Sequence, residues 1–341
     1  MRRFRYLAAA LMIAALVIGL PAGCNRDSAD AEQPASLSGA PGSGTADHSL
    51  IDPELLSLKV AFLPVLDSLP YHIAVQEGLF ADAGVVVEGI TVASSVERDQ
   101  LLQTGQIDGM LNEILTTALF NREQISAVTV RTIRMPTPGG PIFRILAPPG
   151  SAISGPADLA GVRIAGAVNS IIEYITDRIM TDSGVPGDQV NVVSVPAIPE
   201  RFQLLMRGDV DAAVLPDPLA QAAMEAGAVL VADDADFPEY SLTALTFGAD
   251  ALALKETAVS RFLSAWDRAT EMLNANPDAY RALFLEQVNV PESVQDTYVI
   301  PPFAPRSIPT EAQWDDVTSW LVQKGYLETA PAYADSVVAV Q

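Results

Sequence analysis

Short apolar runs alternate along the chain with stretches whose apolar positions recur at helical spacing. The spacing predicts a strand over Leu58–Leu63, a helix from Tyr71 to Phe80 stopped near Gly84, and a second strand over Val85–Val92. A helix from Ser94 to Gln103, closed by Gly105, and a short strand over Ile107–Leu111 follow. The same order returns later: strand Val162–Ala165, helix Ile171–Thr181, strand Val190–Val195, helix Pro199–Met206 closed by Gly208, and strand Val210–Leu215. Strands alternating with helices in this way define an α/β fold with parallel pairing.

The two runs agree in residues as well as in order. Glu97 to Asp108 and Glu200 to Asp211 both read E-R-x-Q-L-L-x-x-G-x-(I/V)-D without a gap. A spacing of about a hundred residues is too long for a solenoid repeat and fits two related lobes. Much of this motif has a structural reading. Ser94 to Glu97 forms a capping box, Gly105 and Gly208 suit the left-handed position that ends a helix, and the paired leucines are core. Glu97, Arg98, Glu200 and Arg201 are therefore read as scaffold.

The amino terminus has a different character. Arg2, Arg3 and Arg5 precede an uncharged apolar run, Leu7 to Leu20, which is short of the roughly 20 residues that span a bilayer. A basic start, a short apolar core and a small-residue exit describe a secretory signal peptide over residues 1–23. The exit, Leu20-Pro21-Ala22-Gly23-Cys24, resembles a bacterial lipoprotein processing site, although Pro21 stands where that pattern usually has leucine. The resemblance implies acylation of Cys24, the single cysteine, and an extracytoplasmic body moored to the membrane. A lone cysteine cannot form an intramolecular disulfide. Residues 24–52, rich in Ser, Gly, Ala, Pro and Asp, read as a disordered tether.

About 290 residues remain for the folded body, enough for two modest lobes. The net charge of −22 argues against nucleic acid and against attachment to anionic lipid by charge. It also means that an anionic ligand must be held by local donors.

In open α/β sheets the ligand crevice lies beyond the carboxyl ends of the strands. Those ends are short polar loops here: Pro64 to His72, Ala93 to Ser95 and Asn112-Glu113 in the first run, then Ala167 to Ser170, Pro196 to Pro199 and Pro216 to Pro218 in the second. Six such loops facing one cleft would make a site. The candidate ligand-binding residues are Asp67, Ser68, Tyr71, His72, Ser94, Ser95, Asn112, Asn169, Ser170, Tyr174 and Asp217.

On residues Leu63 to Phe80, Ser94 to Asn112, Ile164 to Asp177 and, most strongly, Val195 to Ala220, the chain resembles the substrate-binding proteins of nitrate, sulfonate, taurine and thiamine-precursor ABC importers. The resemblance covers roughly Leu58 to Leu327. It implies a two-lobed, Venus-flytrap periplasmic-binding-protein fold of type II, with a first lobe over residues 53–145, a second over 146–243 and a return to the first over 244–341. Crossover strands are expected near Phe143 to Pro148 and Thr243 to Phe247, with the C-terminal helices on the first lobe. The implied partners are a small-molecule solute and a transporter permease, and a monomer is expected.

Two ligand chemistries stay open. Ser94, Ser95, Asn169 and Ser170 suit an oxyanion. Tyr71, His72, Phe143, Tyr174 and Tyr240 can sandwich a heteroaromatic ring, with Asp67, Asn112 and Asp217 accepting from its amines; the reading leans to this aromatic nutrient. Glu113 and Asp182 are candidate rim contacts for the permease. No nucleophile motif, spaced metal-ligand cluster or cofactor signature is present, and His48 falls in the tether, so neither an enzyme nor a metal or cofactor is expected. The alternatives are a sensor or docking lipoprotein without transport and an enzyme of the same fold acting on a pyrimidine-type substrate.

Overall fold

The computed structural model describes residues 53–341. The residues read as a signal peptide and a tether, Cys24 among them, lie outside the described residues. Among the described residues no helix is long and apolar enough to cross a membrane.

The first lobe opens with β1 (Ser57–Phe62), the helices α1 (Leu69–Gln76) and α2 (Leu79–Asp82), β2 (Val86–Thr91), α3 (Ser95–Gln103), β3 (Gly109–Asn112), α4 (Ile114–Phe120) and β4 (Ala127–Arg134). The second lobe contributes β5 (Phe143–Ala147), β6 (Arg163–Gly166), α5 (Ile171–Asp182), β7 (Asn191–Ser194), α6 (Ile198–Arg207), β8 (Ala212–Pro216), α7 (Leu219–Glu225) and β9 (Val229–Asp233). The chain then returns through β10 (Thr243–Gly248), α8 (Ala249–Leu254), α9 (Glu256–Ala275), α10 (Arg281–Gln287), α11 (Glu311–Gln323) and α12 (Tyr333–Ser336). The helix expected from Tyr71 to Phe80 is two helices, because Gly78 takes a left-handed conformation (φ 71°) and breaks the hydrogen-bond ladder between them.

Both sheets have five strands in the same arrangement, β2-β1-β3-β10-β4 and β7-β6-β8-β5-β9. In each, three strands of the repeated motif pair in parallel, and the strand beside them runs antiparallel. In each sheet that antiparallel strand, β10 or β5, is the first one formed after the chain crosses between sheets. The segments expected as crossovers, Phe143 to Pro148 and Thr243 to Phe247, therefore lie on the far side of each crossing. The crossings themselves are residues 135–142 and 234–242.

The repeated motif supports each sheet identically. Asp108 accepts the Lys59 main-chain N–H at 2.8 Å, and Asp211 accepts that of Arg163 at 3.0 Å, so the closing aspartate of each copy holds the first strand of its own repeat. Gly105 and Gly208 are left-handed (φ 69° and 70°) and end their helices. Ser94 accepts from the Glu97 N–H at 3.2 Å, while Glu97 accepts from Ala93 at 2.8 Å.

The first-lobe core sets Leu58, Val60 and Phe62 against Phe262 and Trp266 of α9 and Phe284 of α10. The second lobe packs Ile164, Ile175 and Val214 together. Helix α11 departs from the expectation that the C-terminal helices sit on the first lobe. Its Trp314, Trp320 and Leu321 share one core with Ile114 and Leu115 of α4 and with Tyr174 and Ile175 of α5, so it braces both lobes.

Candidate functional site

All six polar loops at the strand ends contribute to one cleft of about 360 Å³ between the sheets. Lobe one supplies Val65, Asp67, Ser94, Ser95, Arg98 and Glu113; lobe two supplies Phe143, Asn169, Ser170, Pro196, Arg201 and Asp217. Ile142, at the end of the first crossing, and Thr243, just after the second, also line it, and the buried Asp234 carboxylate accepts the N–H groups of Ile142 (2.9 Å) and Phe143 (3.1 Å). A larger recess of about 680 Å³ lies outside, lined by first-lobe residues with Asn169 as its single second-lobe contribution, so it lacks walls from both sheets.

Of the eleven residues singled out by sequence, Asp67, Ser94, Ser95, Asn169, Ser170 and Asp217 line the cleft. The other five do not. Ser68 is buried and donates to the Val65 carbonyl at 2.8 Å. Tyr71 stacks on Phe62 at 4.5 Å between centroids, in the first-lobe core. His72 meets Tyr71 edge-on, and burial lowers its pKa while Glu286 opposes the shift. Asn112 is buried in a network with Thr117 (3.1 Å) and Thr246 (2.7 Å). Tyr174 points away to α11, where its hydroxyl donates to Asp316 at 2.5 Å, and burial with that carboxylate raises its pKa. Tyr240 likewise donates to Asp182 outside the cleft, so Asp182 is already engaged and is not a free rim charge. The tyrosine sandwich is not assembled: each of these rings has an amphipathic surface that a core or a helix brace uses equally well. Phe143 is the one member of the expected set that lines the cleft.

Several lining residues are committed to structure. Asp217 takes a bidentate pair from Arg144 (2.9 and 2.7 Å), and Asp67 accepts from Arg134 (3.4 Å) and Thr243 (3.0 Å). These carboxylates are not acceptors waiting for ring amines. Ser170 donates to Ala167 O and accepts from Ile172 N at 3.2 Å, a capping role. Asn169 stands at φ 57°, the left-handed region that asparagine tolerates better than most side chains.

Sequence reasoning placed Arg98 and Arg201 in the scaffold, yet both line the cleft while nearly fully buried. Arg98 donates to Asp99 (2.8 Å) and to the Leu111 carbonyl (3.0 Å), and lies 3.8 Å from Glu113. Glu113 is thus a cleft residue, not a docking contact on the rim; burial raises its pKa and Arg98 pulls it back. Arg201 has no ion pair among the described residues, and its Nε and Nη1 are buried without a hydrogen-bond partner. Burial pushes its guanidinium down to about 10, which leaves it charged at neutral pH. One signal in the sequence pointed here: each arginine stands four residues before a buried leucine, Leu102 or Leu205, on the helix stripe that faces the core.

His72, the one histidine among the described residues, lies outside the cleft. No group of three His, Cys, Asp or Glu side chains among them is placed to hold a metal.

Two pseudo-equivalent sheets, two crossings and a cleft at the strand ends define the periplasmic-binding-protein fold. The sequence matches the NMT1/THI5-like family over residues 66–280, more than half of its length, and the chain belongs to that family. Among solved structures it is similar to the alkanesulfonate-binding protein SsuA from Xanthomonas axonopodis pv. citri bound to MOPS, with 18% identity, TM-score 0.70, and 83% of this chain and 98% of that one covered. The periplasmic aliphatic sulphonate binding protein SsuA from Escherichia coli matches with 15% identity, TM-score 0.69 and coverage of 84% and 93%. The desulfurization enzyme DSZB shares the fold with 15% identity, TM-score 0.60 and coverage of 83% and 96%. A comparison with curated proteins by sequence finds no match.

Proposed function

We propose that this chain is the extracytoplasmic solute-binding lipoprotein of an ABC importer, moored through Cys24 and a tether over residues 24–52. Its two lobes capture a small solute and present it to a permease. The observation that carries this reading is the cleft, walled by polar loops from both sheets and lined by Ile142 and Thr243 where the two crossings end. A solute that touches both walls stabilises the closed arrangement over the open one, which is what hinge closure requires. At about 360 Å³ the cleft suits a small molecule. Binding is favoured over catalysis because the lining serines serve caps or stand without a histidine beside them. The sulfonate-binding structures make organic anions the first solutes to test, and the missing tyrosine sandwich weakens the case for a stacked heterocycle.

Small-angle scattering of the purified protein, with and without alkanesulfonates and pyrimidine vitamin precursors, tests capture. A bound solute should shrink the radius of gyration and raise the melting temperature; binding with no change of shape would count against a clam. Incorporation of labelled fatty acid in cells, lost in Cys24→Ala, tests the anchor.

A further inference from the structure

We propose that Arg201 is the anchor for an oxyanion carried by the solute, a deprotonated sulfonate, phosphonate or carboxylate; this rests on the solute-capture reading and names the chemistry of its site. The internal repeat distinguishes this arginine from its counterpart in the first lobe. Arg98 and Arg201 hold the same place in the two copies of the motif, on the helix after the second strand of each repeat, and both are nearly fully buried at the cleft wall. They differ in what meets the guanidinium. In lobe one the chain supplies the counter-charge, through Asp99 next in sequence and Glu113 from the neighbouring strand end. In lobe two the residue next to Arg201 is Phe202, and no carboxylate of the described residues pairs with it. The first lobe therefore shows what the second lobe lacks.

A buried guanidinium without a counter-ion is costly, and desolvation is repaid only by a partner that returns both charge and hydrogen bonds. Every other charged group lining the cleft already has one. Asp217 is held by Arg144, Asp67 and Arg134 hold each other, and Asp99 and Glu113 share Arg98. Arg201 is the surplus charge, and it is positive. Its Nε and Nη1 are buried without a partner, and the guanidinium edge that sets Nε beside Nη2, the edge Arg144 turns on Asp217, matches a two-oxygen anionic group. A neutral heterocycle can accept a hydrogen bond there but leaves the charge unmet. Ser95 and Asn169 add a hydroxyl and an amide from facing lobes. The net charge of −22 repels anions at long range, so the selection has to be made by this local cation.

The test titrates the purified protein by calorimetry with butanesulfonate, butylphosphonate and butyrate, and with two uncharged compounds, butanesulfonamide and 4-amino-5-hydroxymethyl-2-methylpyrimidine. Wild type, R201M and R201K are compared, each with its melting temperature in the absence of any compound. At least one oxyanion should bind wild type, with butanesulfonamide much weaker. R201M should lose about a hundredfold or more in affinity, as when a buried charge loses its partner, and R201K should lose less. Without solute, R201M should melt no lower than wild type, because methionine removes an uncompensated buried charge. A merely structural arginine would behave in the opposite way: R201M would melt lower or fail to fold, and that overturns the proposal. Equal oxyanion affinity in wild type and R201M overturns it as well. Binding of the uncharged pyrimidine with silence from every oxyanion overturns the anion assignment and leaves solute capture standing. Capture itself fails separately, if a compound that binds leaves the scattering profile unchanged.

Discussion

The indole N–H of Trp320 on α11 donates to the Asp177 carboxylate on α5 at 2.6 Å, and Lys324 adds its ammonium group at 3.2 Å. This contact ties α11 to the second lobe, while Trp314 and Leu321 of the same helix pack in one core with α4 of the first. Asp316 reinforces it by accepting from Tyr174 and from Arg178 on α5. If the cleft opens as the proposed function requires, helix α11 must move with the second lobe or slide against it.

Trp320→Phe keeps most of the packing and leaves the buried Asp177 short of one donor. It should cost about 2 kcal/mol, the cost of stranding a buried acceptor together with a smaller ring. The midpoint of urea unfolding checks this; a variant as stable as wild type would mean that α11 is not a brace.

Asp67 holds Arg134 where the first crossing leaves β4, with both side chains buried. Asp67→Ala strands that guanidinium and should destabilise the protein by about 3 to 5 kcal/mol. A loss of binding without a loss of stability would return Asp67 to the ligand.

Asp234 staples the two crossings, and burial pushes its carboxyl up to about 7 from the ordinary value of 3.8. The folded state then holds a proton that the unfolded chain has released. That contribution is present in full below about pH 4 and disappears as pH rises through 7. Asp234→Asn should flatten this part of the profile in melts taken from pH 4 to 8. A slope unchanged by the substitution would assign the pH dependence elsewhere.

The cap serines and Asn169 separate structure from binding. Ser94→Ala should cost about 1 kcal/mol through loss of a helix cap, with little effect on a solute. Asn169→Gly keeps the left-handed backbone and removes the amide, so it should weaken solute binding while the melting temperature holds. Calorimetry and melting curves on the two variants check the contrast.

The alternation of apolar runs with helical spacing was enough to give the α/β class, and the duplicated E-R-x-Q-L-L motif was enough to give two related lobes. Both are local signals: strand and helix periodicity, caps and left-handed glycines are written within a few residues of where they act. The strand-end loops were legible for the same reason, since the motif fixes where each strand stops. Which side chains those loops present was not. Tyr71, Asn112 and Tyr174 sit a few residues from lining positions and carry suitable chemistry, but the register of packing turns them into the core, a threonine network and the α11 brace. Arg98 and Arg201 show the converse. Their motif is the same, and the difference between a satisfied charge and a surplus one depends on Asp99 and Glu113, the latter brought to Arg98 from a separate strand end. Charge compensation in a buried site is a property of neighbours in space, and that is why only the tertiary structure decided it.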